Sequence, residues 1–314
     1  MFTRRLPNQL PLILESLEPF RQRLKVVAVE STYNWYWLVD GLQEHSYPVV
    51  LAHPSEMKQY KGIKAANDLT DAAFLARLAR LEVLPTGYIY PRQDRPVRDL
   101  LRRRMLLVQQ RTGILLSLQN LVMRQSGRSV GWRDIRTLSG PERTALLGDH
   151  DCLTFVADQQ VDLIEQFSKK IKRFEKKVLE HVQVQPAYER LQTMPGVGPI
   201  LALTILLETG DIGRFETVGD YTSYCRCVRA THTSNGKNKD ENNGRNGNAY
   251  LAWAFVEAVH HALRVCPKAK SFYDRKRAKR NGALATKALA AKWSKAAYYM
   301  MKRQEAFDLT RVFG

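Results

Sequence analysis

Apolar positions in the first hundred residues fall into short runs separated by polar turns, and their period changes from one run to the next. Residues 9–21 carry apolar residues at helical spacing, whereas Lys25-Val26-Val27-Ala28-Val29 is a short Val-rich run of the kind that forms a buried parallel strand, ending on Glu30. A helix is predicted over 34–44 and a second short strand over 48–52, so the segment alternates β, α and β in the manner of a layered α/β domain. Residues 65–76 read as a helix entry with an acidic residue near its cap. A third apolar segment at 81–84, followed by Tyr88 to Tyr90, closes this half.

Beyond residue 96 the pattern lengthens. An Arg-rich helix is predicted from Val97 to about Met123, and a second long helix from Asp149 to Val184, on which Ile164, Phe167, Ile171, Phe174 and Val178 recur at alternating spacings of three and four. That is a coiled-coil-like seam, open to packing within one chain or between subunits. Gly and Pro punctuation between 127 and 148 turns the chain back. Pro195-Gly196-Val197-Gly198-Pro199 then separates a short helical run from the apolar run Ile200 to Leu207, and a further helix begins at Asn248 and extends to about Val265. Near the C-terminus, Trp293, Ala296, Ala297 and Met300 share one helical face and are expected in the core. Three segments follow, at 1–96, 97–186 and 187–314.

Charge changes this picture from a generic two-domain protein to a polyanion binder. The 314 residues hold 49 Lys and Arg against 31 Asp and Glu, a formal charge of +18. The cations cluster: Lys268 to Arg303 contains twelve Lys or Arg and the single acid Asp274, and Arg98 to Arg124 contains six Arg, among them Arg102, Arg103 and Arg104, and the single acid Asp99. Clusters of this kind favour phosphate contact over mere solubility. No run of about 18 apolar residues occurs, and the Pro-broken N-terminus lacks a signal-peptide core, so no membrane association is expected and a soluble, cytosolic protein is the expectation. Cys152, Cys225, Cys227 and Cys266 lack paired zinc spacing and read as reduced thiols.

Three sets of residues carry candidate chemistry. In the Pro195–Pro199 turn, Gly196 and Gly198 let backbone N–H groups approach a phosphate without an intervening Cβ, next to a helix N-terminus that favours an anion; an ordinary αα-hairpin turn has the same sequence. Glu30 ends a strand, and Asp68 and Asp71 stand three residues apart on one helical face, so hard oxygen ligands from separate elements suit one or two Mg²⁺ ions. Singly, Asp68 also reads as a helix cap and Glu30 as a polar strand terminus. Ser234 lies in the loop Thr233-Ser234-Asn235-Gly236-Lys237, flanked by Arg226, Arg229, Lys239 and Arg245, which with Lys237 would neutralise the charge of a phosphoryl transition state; a flexible polar linker is the plain alternative.

Taken together, VAVEST at 27–32, the K-x-x-N-D-x-x-D-A pattern at 64–72, PGVGPILA at 195–202 and the block from THTSNGK to NGNAYL at 231–251 resemble the bridge-RNA-guided insertion-sequence transposases. The resemblance covers nearly the whole chain. It implies an α/β RuvC-like (RNase H-like) DEDD domain, a long coiled-coil-like helix, and a mainly α-helical C-terminal transposase domain with a helix-hairpin-helix. It further implies that Glu30, Asp68 and Asp71 are the second, third and fourth acids of a Mg²⁺-binding set, and that Ser234 attacks DNA and is held transiently as a phosphoserine. A structured guide RNA, element-end and target DNA, and a homo-oligomer, dimer or tetramer, are the implied partners.

One departure stands out. The first acid of the set belongs on an opening strand of the form hydrophobic-x-hydrophobic-Asp, and upstream of Glu30 residues 1–24 offer only Glu15 and Glu18, both on a predicted helix. The chain is therefore expected to begin inside the RuvC-like domain. If it is complete, weakened Mg²⁺ binding and poor recombination follow, with nucleic-acid binding surviving. A hydrolytic junction nuclease, in which the acids activate water, and a non-catalytic binding remnant are the competing readings.

Overall fold

The computed structural model describes residues 4–53, 68–131, 134, 139–148, 150–181, 185–228, 232–234, 237–240 and 247–314, with the backbone alone considered at 68–69, 143, 232–234 and 237–240. The chain divides into two compact units, residues 1–93 and 94–314.

In the first unit, β1 (Val27–Glu30) and β2 (Val49–Ala52) are parallel, in the register Val27↔Val49 to Glu30↔Ala52. A parallel pair needs a crossover, and α2 (Tyr36–Glu44) supplies it, burying Val39 and Leu42 against Val29 and Leu51. The β-α-β reading of the sequence is borne out. Two details differ. The first helix, α1 (Leu10–Leu17), gives way to a 3₁₀ turn over Glu18–Arg23, because Pro19 lacks the N–H that would continue an α-helix. The apolar segment at 81–84, to which its pattern assigned no element, is a helix exit: α3 (Asp68–Arg80) runs up to it, Glu82 adopts φ +59°, and the Val83 N–H donates back to Leu78 O, so the chain leaves the helix with Leu81 and Val83 exposed. The third strand is β3 (Thr86–Gly87), antiparallel to β2.

The second unit starts with α4 (Arg95–Ser126), closed by Gly127 at φ +69°. After it come α5 (Gly140–Leu147), which opens on a Ser139/Glu142 capping box, and α6 (Asp151–Glu180). The hydrogen bonds Arg104–Glu175, Arg111–Ser168 and Gln160–Ser117 descend one helix as they climb the other, so α4 and α6 are antiparallel. The predicted seam closes within this pair. Ile164, Ile171 and Val178, at sevenfold spacing, are buried, and Phe167 and Phe174 are half-buried. Ile171→Ala should therefore cost about 2–4 kcal/mol, seen as a lower urea midpoint with an unchanged denaturant slope.

The remaining helices are α7 (Pro186–Gln192), α8 (Pro199–Thr209), α9 (Val218–Tyr224), α10 (Ala249–Val265), α11 (Pro267–Lys279), α12 (Gly282–Arg303) and α13 (Leu309–Phe313). They enclose a core built on Trp293, Tyr221, Phe255, Ile205, Leu251 and Leu289. Trp293, Ala296, Ala297 and Met300 are all buried, as their spacing predicts, and the Trp293 indole N–H donates to Pro195 O at 3.0 Å. Between α9 and α10, β4 (His232–Ser234) and β5 (Lys237–Asp240) form an antiparallel hairpin. No described helix is long and apolar enough to cross a membrane.

Candidate active site and nucleic-acid interface

The carboxylates come from the first unit. Glu30 is exposed at the carboxyl end of β1, and α3 packs against that strand. Asp71 is half-buried on the face of α3 that also carries the buried Leu75 and Leu78, one turn nearer the helix start. Asp68 is the first residue of α3, three positions before Asp71; its side chain lies outside the described set. All-oxygen donors from a strand end and an adjoining helix are a chemically suitable set for a hard divalent cation. His53 directly follows Ala52, the residue that pairs with Glu30, and is a titratable group at these strand ends that the sequence reading missed. Its buried Nδ1 has no hydrogen-bond partner among the described residues, and its place one residue beyond a strand end was the available signal. Among the described residues, the close-set potential ligands His150, Asp151 and Cys152 are exposed at the start of α6, where the His150 ring caps the Cys152 N–H.

Ser234 is the last residue of β4 and is paired in register with Lys237, the first of β5. Only Asn235-Gly236 separates them, a dipeptide strongly preferred in two-residue hairpin loops. Lys239 is also on β5, and Arg229 and Arg245 lie outside the described residues. The ends of this segment are fastened to each other. The Asn248 backbone N–H donates to Tyr224 O at 2.6 Å, and the half-buried Arg226 donates from its guanidinium to Gly247 O at 2.9 Å. Gly247 has φ +84°, and a Cβ there would fall 2.4 Å from Tyr224 O. Cys225 and Cys227 sit beside this foot as buried, free thiols. Burial pushes the Cys227 thiol up to about 12, so neither this group nor Cys225, raised for the same reason, offers a thiolate nucleophile. A cavity of about 290 Å³ next to Cys227 is lined by Lys276, Arg280 and Lys287.

The Pro195–Pro199 turn joins α7 to α8, but its two glycines serve different ends. Gly196, at φ +83°, presses on α10: a Cβ there would meet Ala258 O at 2.2 Å and Ala262 N at 2.5 Å. Its missing side chain accommodates a neighbouring helix. Gly198 is exposed, has open space where its Cβ would be, and stands at the start of α8 with no side-chain cap. A cleft of about 750 Å³ beside the turn is lined by Arg104, Arg111, Trp253, His261 and Arg264. The arginine run on α4 divides likewise. Arg102 donates to Glu208 and lies 4.2 Å over the Tyr250 ring, and Arg104 donates to Glu175 and lies over Trp253. Arg103 is exposed. Arg102 and Arg104 therefore hold the framework together, and Arg103 is the member of the run that faces solvent.

The sequence reading also missed the network centred on Glu208. This carboxylate is 1% exposed and accepts from Arg98, Arg102 and Asn248. Burial alone would push its carboxyl up; the Arg102 hydrogen bonds, the charges of Arg98 and Arg102 and the Asn248 amide outweigh that and hold it below the usual carboxylate range.

Two regions of the chain match known families. Residues 188–274 match the family described as Transposase IS116/IS110/IS902 family, and residues 1–125 match the DEDD domain of IS110 elements, described as Transposase. Over 251 residues, 77% of this chain and 72% of the relative, the sequence is 24% identical to a probable family 20 transposase of Pseudomonas aeruginosa. Over 138 residues, 44% of this chain and 34% of the relative, it is 25% identical to an uncharacterized 43.6 kDa protein of insertion element IS110 from Streptomyces coelicolor.

Proposed function

We propose that this chain, an insertion-sequence transposase by its two matched domains, cuts and rejoins DNA through Ser234, assisted by a divalent cation and directed by a structured guide RNA. The observation that carries the reading is the β4–β5 hairpin, which pairs Ser234 in register with Lys237 on a foot fastened at Tyr224, Arg226, Gly247 and Asn248. The Ser234 Oγ attacks the phosphorus of a DNA phosphodiester. The Oγ–P bond forms as the bond to one strand oxygen breaks, and the hydroxyl proton ends on the departing oxygen. A hydroxyl of another strand then reverses the step, freeing the serine and joining the new ends. Lys237, Lys239, Arg226, Arg229 and Arg245 supply positive charge against the developing phosphorane.

Glu30, Asp68 and Asp71 would hold Mg²⁺, which when bound polarises the phosphodiester and takes up charge on its oxygens. Gly198 at the uncapped start of α8, Arg103, and Arg264, Lys276, Arg280 and Lys287 lining the two clefts support backbone contacts to DNA or RNA. Exposed Leu116 and Met123 on α4, with Phe155 and Leu163 on α6, support self-association along the helix pair.

The test is a denaturing-gel assay for a covalent protein–DNA adduct with element-end DNA, guide RNA and Mg²⁺. An adduct is expected; nicked DNA without one would replace transesterification by hydrolysis. Asp71→Asn should raise the Mg²⁺ concentration for half-maximal adduct at least about tenfold, given that loss of even an outer-shell group typically costs 10–100-fold in metal affinity. An unchanged Mg²⁺ titration would remove Asp71 from the metal set.

A further inference from the structure

We propose that Glu208 is a positioning residue for the serine hairpin, acting through Asn248. The proposal rests on Ser234 being the nucleophile. Glu208 lies in the last turn of α8 and is buried against groups from two other parts of the second unit, α4 and Asn248. Arg98 donates to its Oε2 at 3.1 Å from α4, and Arg102, one turn on, donates to both carboxylate oxygens at 2.5 and 2.8 Å. Asn248 donates from Nδ2 to the same Oε2 at 2.8 Å.

Asn248 has a second task that fixes its orientation. Its Oδ1 accepts the N–H groups of Tyr250 and Leu251, capping α10, so the amide has its oxygen on the helix and its nitrogen on Glu208. Its backbone N–H is held by Tyr224 O, and Gly247 immediately before it is held by Arg226. The residue at which the hairpin segment re-enters the fold is thereby bonded to α8 through Glu208, to the end of α9 through Tyr224, and to α4 through the carboxylate that Asn248 shares with Arg98 and Arg102. Arg102 adds a contact with Tyr250, in the first turn of the same capped helix.

An apolar cluster of equal volume would hold these helices together about as well, since a buried ion pair stabilises little over well-packed hydrophobic groups. What the polar network adds is direction. Each donor meets its acceptor in one geometry, and that geometry sets where the chain emerges towards Ser234. Displacement of a reacting group by about 1 Å can lower a rate on the order of 100-fold.

The experiment compares Glu208→Gln, Asn248→Asp and the double variant in single-turnover adduct formation, with saturating element-end DNA, guide RNA and Mg²⁺. Glu208→Gln keeps the volume and removes the charge. Asn248→Asp keeps the helix cap and sets a carboxylate against Glu208. The double variant restores a hydrogen bond in the reverse sense, the Gln amide donating to the Asp, and keeps one negative charge beside the arginines. Each single variant should form adduct about 10–100-fold more slowly, with full amplitude and unchanged DNA affinity, and the double variant, in which the Gln nitrogen facing the introduced Asp carboxylate no longer accepts from Arg98 and Arg102, should recover part of the rate. Misfolding would lower the amplitude instead. A single-variant rate equal to that of the unsubstituted protein, a loss of amplitude alone, or no recovery in the double variant overturns the positioning role. Absence of adduct with the unsubstituted protein overturns the serine reading itself, and that is seen before any variant is compared.

Discussion

Ser234→Ala is expected to abolish the covalent protein–DNA adduct and to lower strand cleavage by at least about a thousandfold, within the range found when the nucleophile of a covalent mechanism is removed. The change deletes one hydroxyl from the end of β4 and leaves the backbone hairpin and its foot intact, because the foot is made by Tyr224, Arg226, Gly247 and Asn248. Element-end DNA should thus bind the variant with the same affinity and the same salt slope, both set by the cations. Denaturing gels report the adduct, and a salt titration of binding reports the contacts. Retention of full cleavage in Ser234→Ala would transfer the chemistry to the carboxylate domain and leave the hairpin as a DNA-binding element.

Gly196→Ala should have the largest effect on stability, about 3–5 kcal/mol. At φ +83° a side chain costs roughly 1–2 kcal/mol by itself. The added Cβ would also lie 2.2 Å from Ala258 O and 2.5 Å from Ala262 N, both backbone atoms of α10, so relief requires a helix to move rather than a side chain to turn. Gly198→Ala, two residues on, meets open space at φ −90° and should leave stability within about 0.5 kcal/mol. If the uncapped start of α8 binds a phosphate, the same change weakens DNA binding through steric approach alone. Urea midpoints separate the two glycines. A fully stable Gly196→Ala would mean that α7 and α8 do not pack on α10 through this turn.

The contrast between these glycines marks the limit of what the sequence makes legible. PGVGP announces a permissive backbone between two helices, and the structure has that turn; which glycine yields to a helix and which stays open depends on α10, some sixty residues away. The β-α-β start was readable because a parallel pair demands a crossover of helical period. The segment at 81–84 received no assignment because an apolar count without period does not separate a strand from a helix exit. The α5 helix was legible in principle, since Ser139 and Glu142 have capping-box spacing. Glu208 was overlooked although a carboxylate directly after the apolar run Ile200 to Leu207 is a signal; its partners Arg98 and Asn248 are 110 and 40 positions away, beyond any local pattern. Of the three arginines that charge alone nominates for nucleic acid, Arg102 and Arg104 meet distant acids of the same kind, Glu208 and Glu175.

A chain segment whose two ends are bonded to each other is, thermodynamically, an insertion into a fold that is already closed. The part of the chain between Arg226 and Gly247 has this status, because Tyr224 bonds to Asn248 and Arg226 to Gly247. Doubling the length of such a loop adds only about 0.6 kcal/mol of closure entropy, while the core around Trp293 and Tyr221 registers no change. In stability terms the serine segment is therefore a cassette: a change in its length costs the helices that fasten its ends little, so such a change registers in the placement of Ser234 and not in the folding of the core.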